Sequence, residues 1–463
     1  MDSINSYKKK MQTDKIRCRF SLLDLLLGIY SVIILFSLTA CAGKPINQIF
    51  LMPAPDIYDA GAIDPFTDSN PIEAIPYEGI LYATDRQPSN GEGKEPFYLN
   101  QRGFVLRLGV GKIELGEENM TWQEAREISL LKNRPGNYPL TVTDIKELGI
   151  LADSYTVFTR PSGLGAEALE PGKSYAEKVN QKLAVSKRKD IYIYVHGYKV
   201  VFENPLLVAA ELWHFLGYDG VFIAYAWPAT PKKLAYFSDL ETAAMSSFNL
   251  QTLLEYLARE TDAKNIHIIG YSAGTRVVIN ALGQLALKYQ DESKDDFREK
   301  LRIGHVILTA SDFDRQIFGS LINAGILDLP KDTTVYLSEL DSALSLSRWV
   351  FRRERLGQMW KDRKLPEEVI KLLWQTDDLV LIDVTDVEKA AAGNGHAYFR
   401  NSPWVSSDIL STLMYDLTPA ERGLYNSQEW PIWQFPSDYI SKLTDKLVER
   451  NPALAPLKEQ KKE

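Results

Sequence analysis

The sequence predicts an α/β protein whose central sheet is mostly parallel and covered by helices on both faces. Two observations lead to this prediction. Short apolar, β-branched runs alternate along the chain with segments in which apolar residues recur at helical spacing. One strand-to-helix junction, Gly270-Tyr271-Ser272-Ala273-Gly274, is rich in the small residues that a tight turn needs. With 463 residues, 45% of them hydrophobic, the chain is long enough for one large domain with insertions.

Residues 1–40 have the pattern of a bacterial lipoprotein signal peptide. Lysines and arginines precede an apolar core from Leu25 to Ala40, which is shorter than the ~20 residues of a membrane span and ends in small residues. Leu38-Thr39-Ala40-Cys41 resembles a lipobox, in which the cysteine becomes the lipidated first residue of the mature protein. An uncleaved signal anchor is the alternative. Cys41 is followed by Ala42 and not by aspartate. In this the sequence resembles Gram-negative lipoproteins of the outer membrane, so we expect the protein to face the periplasm there.

Residues 41–76 contain several prolines without periodicity and are predicted to form a tether. Removing residues 1–40 would leave a formal charge of −11, with no electrostatic basis for nucleic-acid binding. We therefore expect the membrane to be reached through a lipid on Cys41. Since Cys18 lies in the removed segment, the mature chain could form no intrachain disulfide.

Residues 77–430 are predicted to form the globular domain, with the first two strands antiparallel at a sheet edge and the others parallel. The expected strands are Gly79–Thr84, Phe104–Leu108, Ile191–Val195, Val221–Tyr225, Asn265–Ile269, Ile303–Thr309, Thr334–Leu337 and Leu379–Ile382. The expected helices are Ser174–Leu183, Leu206–Leu216, Leu240–Leu257 and Thr275–Leu282. Ligands then bind at the carboxyl ends of the parallel strands.

Three segments are less regular. Residues 117–150 show no clear pattern. Residues 351–376 have helical spacing and many basic residues, which suits either a lid over the site or a solvated connecting helix. Residues 431–463 are predicted to form a C-terminal extension.

The Gly270–Gly274 turn has the Gly-x-Ser-x-Gly pattern of a nucleophile elbow, which raises Ser272 above the sheet next to a helix N-terminus. A serine hydroxyl needs a base to take its proton and an acid to orient that base. Of the five histidines, His396 lies in a glycine-rich loop after the last predicted strand, where a base can reach Ser272. The others lie in or beside a strand or within a helix: His196, His214, His267 and His305.

The acid is expected after one of the strands that follow the elbow. Asp341 comes directly after the strand that ends near Leu337 and is favoured by strand order, although a carboxylate there could instead cap a helix beginning near Ser342. Asp312 and Asp314, after the preceding strand, are the competitors. The backbone N–H groups of Ala273 and Tyr198 are the predicted oxyanion donors, and His196 is expected to support the Tyr198 loop.

Several motifs resemble the DUF900 family of α/β-hydrolases over roughly residues 78–415. They are Tyr82–Arg86, Tyr194–Tyr198, Ala226–Ala229, Ile268–Gly274, Ser338–Leu344 and Gly395–Phe399. The resemblance implies an α/β-hydrolase fold with Ser272, Asp341 and His396 as the catalytic triad, and leaves the substrate open.

The sequence therefore predicts a membrane-anchored serine hydrolase, a carboxylesterase acting on a small-molecule or lipid ester through an acyl-enzyme. The alternatives are an acyltransferase or amidase with the same triad, and a non-catalytic binding module of the cell envelope. No metal-site spacing, dinucleotide fingerprint or Walker loop occurs, so we expect no metal and no cofactor.

Overall fold

A computed structural model describes residues 48–91, 96–117, 119–231, 236–360 and 364–454. The strands are β1 Gln48–Phe50, β2 Ile80–Pro88, β3 Tyr98–Leu115, β4 Pro139–Ile150, β5 Asp190–Val195, β6 Val221–Tyr225, β7 Asn265–Tyr271, β8 Ile303–Thr309, β9 Asp332–Leu337, β10 Leu379–Asp383 and β11 Trp433–Gln434. The α-helices are α1 Trp122–Ser129, α2 Glu170–Val185, α3 Glu203–Phe215, α4 Tyr236–Glu260, α5 Gly274–Lys288, α6 Lys294–Leu301, α7 Arg315–Asn323, α8 Ser342–Phe351, α9 Glu367–Gln375, α10 Tyr398–Asn401, α11 Pro403–Tyr415 and α12 Tyr439–Arg450.

The described strands form one sheet in the order β1-β4-β3-β2-β6-β5-β7-β8-β9-β10-β11. The pairs β1–β4, β4–β3 and β3–β2 are antiparallel, and every other neighbouring pair is parallel. The mutually parallel strands therefore have their carboxyl ends at the same edge of the sheet, which we call the carboxyl edge. These strands are β2, β6, β5, β7, β8, β9, β10 and β11. The predicted α/β-hydrolase fold, with a mostly parallel sheet and helices around it, is confirmed.

The core lies along the central strands. All residues of β5, β6 and β8 are buried, as expected for parallel strands covered on both faces. This burial explains why these strands are nearly continuous apolar runs that the sequence could identify. The predicted strand positions from Ile191 to Ile382 are confirmed within a few residues.

Residues 48–76 do not form the predicted tether. β1 pairs with β4, Ile57 and Tyr58 are buried in the core, and the Tyr58 hydroxyl donates to the Phe215 carbonyl at 3.0 Å. The prediction is wrong for this segment because its buried apolar residues follow turns and short 3-10 helices, so they show neither strand nor helix periodicity. Residues 1–40, Cys41 and the rest of the predicted tether lie outside the described residues.

The irregular segment 117–150 contains α1 and the long strand β4, which extends the antiparallel side of the sheet. The segment predicted as a C-terminal extension contributes β11 and α12, whose buried residues are Tyr439, Leu443 and Leu447. It is therefore part of the body as far as residue 454. Among the helices described, none is both long and apolar enough to cross a membrane.

The candidate lid, residues 351–376, divides into two parts. Residues 355–359 are buried and bonded to the carboxyl edge: the Gly357 N–H donates to the Ser311 carbonyl at 2.9 Å, and the Ser338 N–H donates to the Gly357 carbonyl at 3.0 Å. This part is therefore fixed to the carboxyl edge of the sheet by backbone hydrogen bonds. None of the residues of α9 is buried, which fits the alternative of a solvated connecting helix.

Candidate active site

The turn between β7 and α5 holds Ser272 at the carboxyl edge. Ser272 has a φ of +53°, in the left-handed region that residues other than glycine rarely adopt, so the turn is strained at this serine. The Ser272 N–H donates to the Thr309 carbonyl at 3.0 Å, which ties the turn to β8. Only glycine fits at position 274, because a Cβ there would lie 2.2 Å from the carbonyl oxygen of His196. The strained geometry leaves the Ser272 hydroxyl at the end of the strand.

The ring of His396 bridges Ser272 and Asp341. His396 Nε2 lies 2.8 Å from Ser272 Oγ, and its Nδ1 lies 2.7 Å from Asp341 Oδ2. Gly395, with a φ of +69°, allows this approach, since a Cβ there would lie 2.4 Å from the Leu340 carbonyl oxygen. The serine, base and acid predicted from the sequence thus form one hydrogen-bonded chain.

The two carboxylate oxygens of Asp341 have separate partners. Oδ1 accepts the Leu344 N–H at 2.9 Å and caps α8, whereas Oδ2 faces His396. The side chain is fully buried. Helix capping and orientation of the histidine were alternatives at the level of the sequence, and in the structure the same carboxylate does both. The cap fixes the direction in which Oδ2 points.

The competing aspartates face other groups. Asp312 Oδ2 accepts Arg276 Nε at 3.2 Å, and Asp312 Oδ1 accepts the Ser347 hydroxyl. Asp314 caps α7 through the backbone N–H groups that begin that helix. In the described part of the chain, His396 Nδ1 is bonded to Asp341 rather than to either competitor.

The other histidines take part in packing. His196 is fully buried; its Nδ1 lies 2.7 Å from the Gly197 carbonyl oxygen and its Nε2 lies 2.9 Å from that of Trp227. Burial, with a smaller contribution from the charge of Arg86, lowers the pKa of His196 to about 3. The ring is therefore neutral near pH 7 and supports the loop, as expected. The remaining partners are Ser129 and Tyr218 for His214, the His305 N–H for His267, and Asp332 and Asp416 for His305.

The backbone segments that carry the expected oxyanion donors flank Ser272. Ala273 is the N-cap residue of α5, where the first backbone N–H groups have no partner within the helix. The loop of Gly197 and Tyr198 follows β5 and lies against the elbow, since a Cβ on Gly197 would be 2.9 Å from Ser272 Cβ. An oxyanion formed next to Ser272 Oγ would develop between these segments.

Tyr398 was not identified from the sequence as a residue of the site. Its buried hydroxyl accepts the Ala310 N–H at 2.5 Å and donates to the Tyr336 carbonyl at 3.2 Å. These bonds fix the loop that carries His396 to the ends of β8 and β9. The sequence did contain a signal, because Tyr398 belongs to the Gly395–Phe399 motif and lies two residues after His396.

This arrangement can carry out nucleophilic chemistry. It combines a hydroxyl, an imidazole able to accept its proton, and a buried carboxylate that orients the imidazole. Within the residues that the structure describes, no cluster of three or more His, Cys, Asp and Glu side chains could hold a metal ion.

The comparison with protein families agrees with this geometry. A family model described as an alpha/beta hydrolase of unknown function (DUF900) matches residues 172–413, just over half of the chain. The matched range contains Ser272, Asp341 and His396. The earlier part of the resemblance, residues 78–171, lies outside the match. No curated protein matches the chain.

Proposed function

We propose that this chain, which belongs to the DUF900 family of α/β-hydrolases of unknown function, is a serine hydrolase. It would cleave carboxylic esters through an acyl-enzyme on Ser272. The observation that carries the proposal is the continuous chain of hydrogen bonds from Ser272 Oγ through His396 to Asp341. A histidine without a catalytic role is not expected to bond a buried carboxylate through one ring nitrogen and a serine in a strained turn through the other.

Acylation begins when His396 Nε2 takes the proton of the Ser272 hydroxyl and Oγ attacks the ester carbonyl carbon. The carbonyl π electrons move to oxygen, and the oxyanion accepts hydrogen bonds from the Ala273 and Tyr198 N–H groups. Asp341 stabilises the imidazolium and keeps its Nδ1 proton directed away from Ser272. Collapse of the intermediate breaks the bond to the alkoxy oxygen, which leaves as the alcohol with the proton from His396.

Deacylation repeats these steps with water. His396 Nε2 accepts a proton from the water as its oxygen attacks the acyl carbon, and the same backbone donors stabilise the second oxyanion. The bond to Ser272 Oγ then breaks, the serine regains its proton from His396, and the carboxylic acid leaves. The enzyme returns to its starting state without a cofactor.

Turnover of p-nitrophenyl esters with acyl chains of increasing length tests the proposal. Ser272→Ala should lower turnover by at least about 10⁴-fold. Ser311→Ala is the matched control, because this buried serine lies at the end of β8 and bonds to Thr275 rather than to a histidine. It should stay within about tenfold of the wild type, at the cost of one buried hydrogen bond.

Undiminished turnover in Ser272→Ala would exclude the proposal, as would a folded wild-type protein inactive on every ester. Product analysis with added alcohols and amines separates hydrolysis from acyl transfer. Activity on amides alone would replace the ester assignment by an amidase.

We also propose that a lipid on Cys41 anchors the mature protein to the outer membrane, facing the periplasm. The lipobox-like run that ends in Cys41 supports this, as does the absence of any other cysteine in the chain after residue 40. Cys41→Ser should block processing and leave a heavier precursor that retains residues 1–40. Normal maturation of this variant would exclude the anchor.

A further inference from the structure

The outer face of α8 carries an exposed apolar patch directly beside the active site. Leu346, Trp349 and Val350 lie three and four residues apart, so they share one face of the helix, and Leu340 precedes it. Their exposed fractions are 62% for Leu346, 76% for Trp349, 39% for Val350 and 49% for Leu340. We call these four residues the α8 patch. Exposed large apolar side chains that share one face of a helix are a candidate interaction surface.

Contacts on the inner face of α8 fix the direction of the patch. Leu344 is buried, and the Ser347 hydroxyl donates to Asp312. The Phe351 ring lies 4.5 Å from the guanidinium of Arg355. Leu344, Ser347 and Phe351 lie on the side of the helix opposite to the exposed residues, so turning the apolar side inward would break their contacts. The α8 patch therefore points away from the body of the protein.

The border of the patch carries more positive than negative charge. Arg348, Arg352 and Arg353 are exposed around it, together with Glu354, 3.8 Å from Arg348, and Glu339, which precedes Leu340 in the chain. The whole chain has a formal charge of −8, so this border opposes the overall sign of the protein. A cationic border around an apolar centre complements a surface of acyl chains beneath phosphate groups.

We propose that the outer face of α8 is a membrane-docking surface for a bilayer with anionic phospholipid headgroups. Tryptophan and leucine enter the interfacial region, and the arginines lie at the level of the phosphates. Burial of apolar area alone would suit a protein partner equally well. The three arginines around an otherwise acidic molecule favour the phosphate surface.

Docking places the active site at the lipid surface. Asp341 is both the cap of α8 and the partner of His396, so the helix begins at the site. By the rise of an α-helix, Trp349 lies about 12 Å along the axis from Asp341. If the proposed ester hydrolysis is correct, the preferred substrates are esters held in a bilayer rather than soluble ones.

An environment-sensitive fluorescent amino acid at position 346 tests the docking. The full chain is reconstituted into phosphatidylcholine vesicles with or without phosphatidylglycerol, so that any N-terminal attachment is the same in both. With phosphatidylglycerol, the emission should shift to that of an apolar environment and be quenched by a lipid-soluble quencher. Each of Arg348→Gln, Arg352→Gln and Arg353→Gln should weaken the docking equilibrium about fivefold.

Position 287 is the matched control. Leu287 also lies on a helix and is 55% exposed, but it is near the C-terminal end of α5, which leads away from the carboxyl edge. A label there should remain aqueous on every vesicle. Aqueous emission at both positions would overturn the proposal. So would a concentration-dependent shift at position 346 without vesicles, which would indicate a protein partner, or equal insertion into neutral and anionic vesicles.

Activity provides a second measurement that distinguishes the two proposals. Leu346→Ser with Trp349→Ser should retain turnover of a soluble short-chain ester and lose about tenfold on an ester carried in phosphatidylglycerol vesicles. An equal loss on both substrates would contradict docking. Absence of any esterase activity would exclude the proposed function, whereas the fluorescence would still decide the docking.

Discussion

Two aspartates at the ends of neighbouring strands have different surroundings. Asp312 follows β8 and Asp341 follows β9; both are buried, and both bind α8, one at Ser347 and the other at Leu344. Asp341 also faces a histidine, whereas Asp312 faces the guanidinium of Arg276. Strand order favours Asp341 as the catalytic acid, but burial does not distinguish the two residues. Their hydrogen-bond partners distinguish them.

The difference in partner decides the chemistry that each carboxylate can support. An arginine remains protonated at all pH values a protein tolerates, so the pair of Asp312 and Arg276 holds elements together and exchanges no proton. A histidine can accept a proton from a neighbouring hydroxyl during the reaction, so Asp341 can stabilise a charge that appears only then. We therefore propose Asp341 as the catalytic acid, whereas Asp312 attaches α8 through Ser347.

Asp341→Asn should have the largest effect. Asparagine can still cap α8, but it no longer stabilises the imidazolium or the tautomer that accepts the Ser272 proton. We expect kcat on a soluble ester to fall by about two to four powers of ten with little change in thermal stability. Steady-state kinetics together with thermal unfolding measures both. Wild-type kcat in this variant would remove Asp341 from the proposed triad.

Asp312→Asn should show the opposite pattern. It leaves the buried guanidinium group of Arg355 and the partly buried one of Arg276 without their shared counter-charge, which should cost about 2–4 kcal/mol of unfolding free energy. The folded enzyme should keep kcat within about tenfold of the wild type, since no bond to His396 is lost. Urea unfolding and kinetics in the same buffer test this. A loss of kcat as large as that of Asp341→Asn would show that the two roles are not separate.

Tyr398→Phe should have the smallest effect of the three. The change removes the bonds that fix the loop of His396 to the ends of β8 and β9 but preserves the ring that fills the core. We expect about 1–3 kcal/mol of destabilisation and a modest fall in kcat, with KM for a small ester unchanged. An unchanged kcat would mean that other contacts position the base.

The residues of the proposed triad could be predicted because each is marked in the sequence by a motif, by elimination among few candidates, or by strand order. Ser272 lies in a pattern of five consecutive residues, and His396 is the one histidine among five that the sequence places in a loop beyond the last predicted strand. Asp341 depended on strand order, which a parallel sheet preserves. The role of Asp312 could not be predicted, since Arg276 and Arg355 are 36 and 43 residues away in the chain and only the fold brings them together.

Other parts of the fold lacked such signals. Within residues 48–76, Ile57, Tyr58 and Phe66 are buried in irregular segments, where apolar residues follow neither the strand nor the helix periodicity. β4 is largely accessible on the antiparallel side of the sheet, so it lacks the continuous apolar run by which the buried strands were found. The α8 patch could not be foreseen either, because apolar residues at helical spacing normally indicate a buried face.

Covalent labelling by a fluorophosphonate tests the central claim most directly. The probe reacts with a serine only when a neighbouring base activates it, and peptide mapping by mass spectrometry identifies the residue. We predict a single adduct on Ser272, formed at nearly the wild-type rate in Asp312→Asn and much more slowly in Asp341→Asn. A folded wild-type protein that stays unlabelled, or carries the adduct on another residue, would contradict the assignment of Ser272, His396 and Asp341 as a working triad.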